Sequence, residues 1–229
     1  MNLEKYQQYS RIARGLEKAD LVLKDARIVN VFTEEIIRGD IAIQDGIIAG
    51  IGSFHGKEER DLAGRYVCPG FIDSHLHLES TLVTPAELVT AASRHGTTTF
   101  IVDPHESANV SGLAGIDYIL DQTEDVKANV YVMMPSCVPA TAIDDNGCTL
   151  TAEDMVPYLH NSRILGLGEV MDSISVVQGE KSMHDKLELF EGRIRDGHAP
   201  FLEEGDLQAY AMAGIATDHE CSFFDYAMR

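Results

Sequence analysis

The sequence is poor in basic residues, lacks long apolar runs and contains no paired cysteine motif. It has 18 Lys and Arg against 37 Asp and Glu, a formal net charge of −19 at pH 7. Because this charge repels phosphate backbones and anionic lipid headgroups, we expect neither nucleic acid nor a membrane surface as a partner. A neutral or cationic small molecule, or a metal cation, is a partner more compatible with this negative charge. No apolar run reaches the ~20 residues that cross a bilayer, and the N-terminus lacks a signal-peptide core.

The cysteines and glycines exclude two further classes of protein. Cys68, Cys137, Cys148 and Cys221 have no Cys-x-x-Cys spacing, so we expect neither a disulfide framework nor a zinc knuckle. Such usage is typical of a reduced, cytoplasmic protein. Cys137 and Cys221 follow predicted strands, where a buried and inert thiol is the usual outcome. No Gly-x-Gly-x-x-Gly follows the first strand, which argues against a dinucleotide-binding fold.

The sequence divides into three segments by the pattern of its apolar residues. Residues 1–18 predict an amphipathic helix, because apolar residues recur there at roughly helical spacing. Residues 19–67 contain short apolar runs between Asp- and Gly-containing turns, which predict a small antiparallel sheet. Residues 68–229 alternate between strand-like and helical runs, a pattern typical of a parallel α/β sheet or barrel with about six βα units. The predicted strands are 67–78, 97–102, 129–134, 164–169, 193–198 and 214–219, and the predicted helices are 85–94, 112–122, 152–161, 181–191 and 206–213.

The most informative run ends the first of these strands, where His75 and His77 are separated by one residue. Side chains two apart in a β-strand point to the same face, so both imidazoles project together. Two neutral imidazoles directed at one point suit a divalent first-row metal better than a packed core. The alternative is two chance histidines in a strand.

Polar groups also follow the other predicted strands, and in a β/α barrel the carboxyl ends of the strands meet at one mouth. Two divalent ions that share a carboxylate are a natural way to occupy such a mouth. The segment Asp103-Pro104-His105-Glu106 is open to two interpretations, a part of the site or a turn that begins a helix. The remaining histidines are predicted to be solvated or capping residues; they are His55, His95, His160 and His184. The strand-end groups beyond the first strand are His105, Glu106, Glu169, His198 and His219.

Taken together, these motifs resemble the amidohydrolase superfamily and, within it, the adenine deaminases. The run 69–77 is similar to the superfamily's strand-one signature, which dihydroorotases, hydantoinases and ureases share. The more specific segments are 96–99, 103–110, 134–140, 166–171, 196–200 and 213–220. The similarity extends from about residue 19 to the last residue.

The resemblance implies a partial (β/α)8 barrel preceded by part of a small β-sandwich, over residues 68–229 and 19–67. It implies that His75 and His77 bind one metal, that His198 and His219 bind a second, and that Glu169 bridges them. The metals implied are Mn²⁺ or Fe²⁺, and the nitrogen and oxygen ligands also suit Zn²⁺. They would generate hydroxide near neutral pH to hydrolyse adenine to hypoxanthine and ammonia, in a homo-oligomeric enzyme of purine salvage. The candidate catalytic residues are Glu169, His105 and Glu106.

The resemblance also implies that a general acid/base aspartate on an eighth strand lies beyond residue 229. We therefore expect the isolated 229-residue chain to be inactive or severely impaired, whereas the deaminase interpretation holds if it is the front portion of a longer protein. Two alternatives stay open. One is another glutamate-bridged amidohydrolase, such as an aminopurine deaminase or an amino-sugar deacetylase. The other is a non-catalytic truncated paralogue.

Overall fold

The computed structural model describes residues 1–141 and 143–228, which form two compact units. The first unit is Met1–Pro69 and the second begins at Gly70. No helix among these residues is both long and apolar enough to cross a membrane.

The first unit begins with helix α1 (Leu3–Ala13), which is shorter than the predicted 1–18. The side chain of Asn2 caps its N-terminus by accepting a hydrogen bond from the Lys5 N–H at 2.9 Å. Gly15 ends it, because its φ of +70° turns the chain out of the helical path.

A mixed five-stranded sheet follows α1, in the order β3-β2-β1-β4, with β5 also paired to β1. The β1–β2 and β2–β3 pairs are antiparallel, but β4 and β5 run parallel to β1. The prediction of an antiparallel sheet is therefore wrong for these two strands, since the long β1 offers its second edge to both of them in turn. The strands are β1 (Ala19–Asn30), β2 (Glu35–Gln44), β3 (Ile47–Gly52), β4 (Gly56–Asp61) and β5 (Tyr66–Val67).

The second unit contains a five-stranded parallel sheet whose spatial order, β10-β9-β8-β7-β6, follows the chain. This sequential order is that of a barrel wall, whereas a doubly wound sheet reverses direction at a switch point. The strands are β6 (Phe71–Leu76), β7 (Thr97–Val102), β8 (Asn129–Pro135), β9 (Ile164–Val170) and β10 (Ile194–Gly197).

The helices of this unit lie between its strands and after the last of them. Several cover the sheet through buried apolar side chains, among them Val89, Ile116 and Leu187, which join Phe100 and Leu167 of the strands in one core. The helices are α2 (Pro85–Ser93), α3 (His105–Ser111), α4 (Leu113–Gln122), α5 (Ala152–Met155), α6 (Ser173–Gln178), α7 (Lys181–Leu189), α8 (Glu204–Met212) and α9 (Phe224–Ala227), with 3-10 helices at Glu79–Thr81 and Val156–His160.

Three further predicted elements differ from those observed. The strand predicted over 67–78 is divided between β5 and β6, because a Pro-Gly pair interrupts it. The helix predicted over 152–161 changes at Val156 to a 3-10 helix that contains Pro157, whose ring prevents a continuous α-helix. The strand predicted over 214–219 does not form. Thr217 instead reaches β10 through its side chain, with Oγ1 accepting from the Gly197 N–H at 3.3 Å and donating to Asp196 Oδ1 at 2.5 Å. Side-chain hydrogen bonds thus replace the backbone ladder there.

Candidate metal centre

The two histidines at the end of β6 have adjacent ring nitrogens. His75 Nε2 and His77 Nε2 are 3.1 Å apart. Both also approach one oxygen of the β9 residue Glu169, at 2.6 Å for His75 and 3.1 Å for His77. The period of two along the strand therefore brings both imidazoles to one point, as the sequence predicts.

Glu169 lies at the centre of the cluster and is 4% exposed. Burial alone would raise the pKa of its carboxyl group, but hydrogen bonds from His75 and His77 outweigh burial and hold that pKa well below its usual range. A buried carboxylate of this kind stays ionised and needs cationic partners. The neighbouring imidazoles fill that role in the metal-free protein.

Two further histidines come to Glu169 from the C-terminal part of the chain. His219 Nε2 is 3.2 Å from Glu169 Oε1, and His198 Nδ1 is 3.8 Å from Oε2. The His219 ring also stacks on that of His75, with the ring centroids 3.8 Å apart. Four histidines thus surround one carboxylate although the segment that carries His219 is not a strand.

A second layer of contacts orients these rings. His77 Nδ1 donates to the main-chain oxygen of Asp103 at 2.8 Å, which leaves Nε2 to face Glu169. Asp196 Oδ2 lies 3.4 Å from His75 Nδ1 and 3.6 Å from His219 Nδ1. Sequence reasoning missed Asp196 as a site residue. Its position two residues before His198 along a strand, on the same face, was the available signal.

The two β6 histidines hold protons tightly in the absence of metal. Hydrogen bonds to Asp196 and then to Glu169 raise the pKa of His75 to about 10. The hydrogen bond to Glu169 raises the pKa of His77 to about 9 against the opposing effect of burial. A metal ion that binds these nitrogens must therefore displace protons.

The donor atoms fit divalent metal ions. Among the described residues, the ligand atoms form four sets, and the atoms of each set lie within 4.8 Å of one another. All four sets consist of imidazole nitrogen and carboxylate oxygen, a donor chemistry suited to Mn²⁺, Fe²⁺ and Zn²⁺. The Nδ1 atom of His198 is buried and has no hydrogen-bond partner among the residues described, so its lone pair is free to bind a metal ion. The sets are His75, His77 and Glu169; Glu169, His198 and His219; His75, Asp196 and His219; and Asp103, His105 and Glu169.

His105 joins this cluster, whereas Glu106 lies at its margin. His105 Nδ1 is 3.7 Å from Glu169 Oε2 and 3.6 Å from Asp103 Oδ1. Glu106 is exposed, and its carboxylate accepts a very short hydrogen bond from Ser80 Oγ. His105 thus lies beside Glu169 and also begins helix α3.

The other candidate residues lie apart from these contacts. His184 Nε2 is 2.9 Å from the main-chain oxygen of Val176. Cys137 is buried, and burial raises the pKa of its thiol, whereas Cys221 is exposed, so the prediction of a buried thiol is wrong for Cys221. Of the histidines outside the cluster, His55, His95 and His160 are exposed.

The sequence also has close relatives. A model of the amidohydrolase family matches residues 66–229. An adenine deaminase from Desulfitobacterium hafniense is 57% identical over 228 residues, covering 100% of this chain and 40% of the relative. An adenine deaminase from Clostridium acetobutylicum is 50% identical over 212 residues, covering 92% of this chain and 37% of the relative. The chain thus spans about two fifths of the length of the curated relatives it matches.

Solved structures share the fold at low sequence identity. An N-acyl-D-glutamate deacylase from Bordetella bronchiseptica, complexed with zinc and a phosphonate inhibitor, aligns with a TM-score of 0.60 at 18% identity, over 88% of this chain and 51% of that one. A 5-methylcytosine deaminase from Klebsiella pneumoniae, liganded with 5-fluorocytosine, aligns with a TM-score of 0.54 at 15% identity, over 90% of this chain and 61% of that one. These alignments support the partial-barrel architecture.

Proposed function

The chain belongs to the amidohydrolase family, and we propose that the protein is a metal-dependent deaminase that hydrolyses adenine to hypoxanthine and ammonia. The convergence of four imidazoles on the buried Glu169 carboxylate carries this proposal. The adenine deaminase relatives, at 57% and 50% identity, supply the choice of substrate.

We further propose a binuclear centre of Mn²⁺ or Fe²⁺. His75 and His77 would bind one ion, His198 and His219 the second, and Glu169 both. Divalent ions at such a centre supply Lewis acidity and make hydroxide available near neutral pH. Two carboxylate oxygens and neutral imidazoles suit these metals, and the same set accommodates Zn²⁺.

Other residues of the chain would orient the metal ligands and the substrate. His77 keeps its Nδ1 proton on the Asp103 main-chain oxygen, so that its Nε2 lone pair faces the centre. An open groove of about 500 Å³ borders the cluster at His105, within the size range of small-molecule sites. His105, Glu106, Asn109 and Cys137 line it. We propose that the purine base occupies this groove and that His105 and Glu106 exchange hydrogen bonds with it.

Ammonia release from a panel of purines, and acetate release from N-acetyl amino sugars, test the proposal. They are measured with the Mn²⁺- or Fe²⁺-loaded protein in the form that its source cell produces, and not with the isolated 229-residue chain. Adenine-selective release of ammonia that Glu169→Gln abolishes supports the proposal. Ammonia from another aminopurine, or acetate from an amino sugar, instead favours a different glutamate-bridged amidohydrolase. Bound metal without release from any of these substrates indicates the non-catalytic paralogue. Turnover of adenine by the isolated 229-residue chain would contradict the predicted inactivity of that chain.

Two attributes of the protein stay predictions. A homo-oligomer is expected, which size-exclusion chromatography with light scattering measures directly. A cytoplasmic location is expected from the cysteine usage, and fractionation of the source cells tests it.

A further inference from the structure

The carboxylate of Asp103 is the most unusual buried group near the centre. The residue is 1% exposed, and neither side-chain oxygen has a hydrogen-bond partner among the described residues. A buried carboxylate without partners is costly unless it takes up a proton or faces a cation. The proposed binuclear centre does not use this side chain.

The fold keeps space for this carboxylate beside Glu169. Asp103 directly follows β7, and its N–H donates to the Leu76 oxygen at 3.0 Å, which fixes the backbone. The side chain lies over Gly168, where an added Cβ would come within 2.1 Å of Asp103 Oδ2. A residue without a side chain at 168 is thus what permits Asp103 to sit next to the cluster.

The distances around His105 Nδ1 are longer than hydrogen bonds and match the separation of ligands around a shared ion. This nitrogen is 3.6 Å from Asp103 Oδ1 and 3.7 Å from Glu169 Oε2, both beyond hydrogen-bond range. Ligands about 2.1 Å from a common tetrahedral ion are themselves roughly 3.4 Å apart. The ligand atoms of the three residues all lie within 4.8 Å of one another. His105 Nδ1, like the Asp103 oxygens, is buried without a hydrogen-bond partner in the described part of the chain.

We propose that Asp103, His105 and Glu169 form an additional divalent-cation site, distinct from the two metal positions of the binuclear centre. Glu169 is the residue that it shares with that centre. Two carboxylates and one imidazole favour a cation of intermediate hardness, such as Mn²⁺, Fe²⁺ or Zn²⁺, over Ca²⁺. The site follows from geometry alone and does not depend on which base the protein deaminates.

Metal counting combined with cadmium NMR tests this site. The protein is loaded with ¹¹³Cd²⁺, its metal content is measured by mass spectrometry, and its ¹¹³Cd resonances are counted. Asp103→Asn keeps the side-chain volume and removes the charge. Asp117→Asn is the matched control, because Asp117 is an exposed aspartate whose carboxylate accepts from Tyr158.

We expect Asp103→Asn to lose one equivalent of metal and one resonance relative to the wild type and to Asp117→Asn. Equal metal content and equal spectra in Asp103→Asn and the wild type would overturn the additional site. Because His75→Asn removes a ligand of the binuclear centre and not of this site, loss of metal in His75→Asn but not in Asp103→Asn leaves the binuclear centre standing and the additional site refuted.

A second variant guards against a folding defect. His105→Gln removes the imidazole at a position that is partly exposed, and circular dichroism checks that its fold is intact. We expect the same resonance to vanish in His105→Gln and in Asp103→Asn. Loss of different resonances in the two variants would also refute a common ion.

Discussion

At the scale of single residues, Glu169 is the side chain on which the candidate centre depends. Five imidazoles, including that of His105, approach its two oxygens within 3.8 Å, and it is buried in the wall of the barrel sheet. In the metal-free state the ionised carboxylate and the protonated His75 and His77 compensate one another. When metal ions replace those protons, they balance the negative charge of the carboxylate. The same arrangement of residues therefore suits both the protonated and the metal-bound form.

Asp196→Asn is expected to weaken metal binding about 10- to 100-fold, the usual effect of removing a carboxylate that orients ligating histidines. The reason is that Asp196 Oδ2 faces the Nδ1 atoms of both His75 and His219. Competition with a metal-sensitive chelator measures the affinity.

Asp185→Asn is the control for that measurement. Asp185 forms an ion pair with Lys181 on the outer surface of α7, and such surface pairs contribute little. An affinity of Asp196→Asn equal to that of Asp185→Asn would refute the orienting role of Asp196.

At the scale of elements, β9 determines how closely its neighbours can approach the centre. Gly168→Ala is expected to destabilise the protein by about 1–3 kcal/mol, as overpacking of a filled interior does. The added Cβ would lie 2.1 Å from Asp103 Oδ2 and 2.9 Å from Met133 Cβ. Urea denaturation measures the change in the free energy of unfolding.

The comparison for this substitution is Gly205→Ala in helix α8. No atom lies within 4 Å of the position that its Cβ would take, so we expect a neutral or slightly stabilising effect. If Gly168→Ala were as well tolerated as Gly205→Ala, the close packing of Asp103 against β9 would be wrong.

In the first unit, Asp40 of β2 is a buried carboxylate that joins three parts of the sheet. It accepts hydrogen bonds from the Asp25 N–H at 3.1 Å and the Phe54 N–H at 3.2 Å, and a very short one from Lys24 Nζ. Burial would raise the pKa of Asp40, but the hydrogen bonds from Lys24 and from the two N–H groups together lower it. Its ionised form therefore stabilises the fold.

Asp40→Asn is expected to cost about 2–3 kcal/mol at pH 7, since hydrogen bonds to a charged group are lost. Because the pKa of Asp40 is lowered on folding, its contribution is present above about pH 4, the unfolded value, and is lost as pH falls through the lower folded value. The difference in stability between wild type and variant should therefore shrink below pH 4. Urea denaturation at pH 7 and pH 3 measures it, and an unchanged difference would contradict this account.

The sequence predicts some of these elements well and others poorly, for physical reasons. The strands at 97–102, 129–134 and 164–169 are confirmed, because buried parallel strands form apolar runs that are visible in the sequence. The pairing of β4 with β1 depends on a contact between distant segments, which local patterns do not encode. The same holds for 214–219, where hydrogen bonds of Thr217 replace strand pairing.

The candidate site divides in the same way. His75, His77 and Glu169 are recognisable because strand alternation and strand ends fix where side chains project. The roles of Asp103 and Asp196 depend on which ring nitrogen or glycine they meet across neighbouring strands. Such contacts become visible only in three dimensions.

At the scale of the whole molecule, metal binding and stability are linked through pH. Because the folded pKa values of His75 and His77, about 10 and 9, lie above the ordinary value near 6.5, their stabilisation of the metal-free protein is fully present below about pH 6.5. It is lost as pH rises through about 9 to 10. The chelated protein should therefore melt at progressively lower temperature between pH 6.5 and 10.

The metal-loaded protein should not follow this trend, because ions then replace the protons, and its apparent metal affinity should rise with pH over the same interval. Each kcal/mol of difference between the two forms corresponds to about 2–4 °C in Tm for a chain of this size. Thermal melts with and without chelator at pH 6.5, 8 and 9.5 measure it. A chelated protein that becomes more stable in alkali would refute the proton-holding role of these histidines.

The hydrogen bond from His77 to Asp103 has a genetic consequence, because its acceptor belongs to the main chain. Every amino acid has a main-chain carbonyl group, so no substitution at position 103 removes the acceptor. The backbone conformation, and not a side chain, therefore fixes the tautomer of His77. A substitution at residue 103 that preserves the backbone path therefore removes the carboxylate but not the acceptor of the His77 hydrogen bond. The charge of the proposed additional site and the orientation of His77 are thus separable by mutation at a single position.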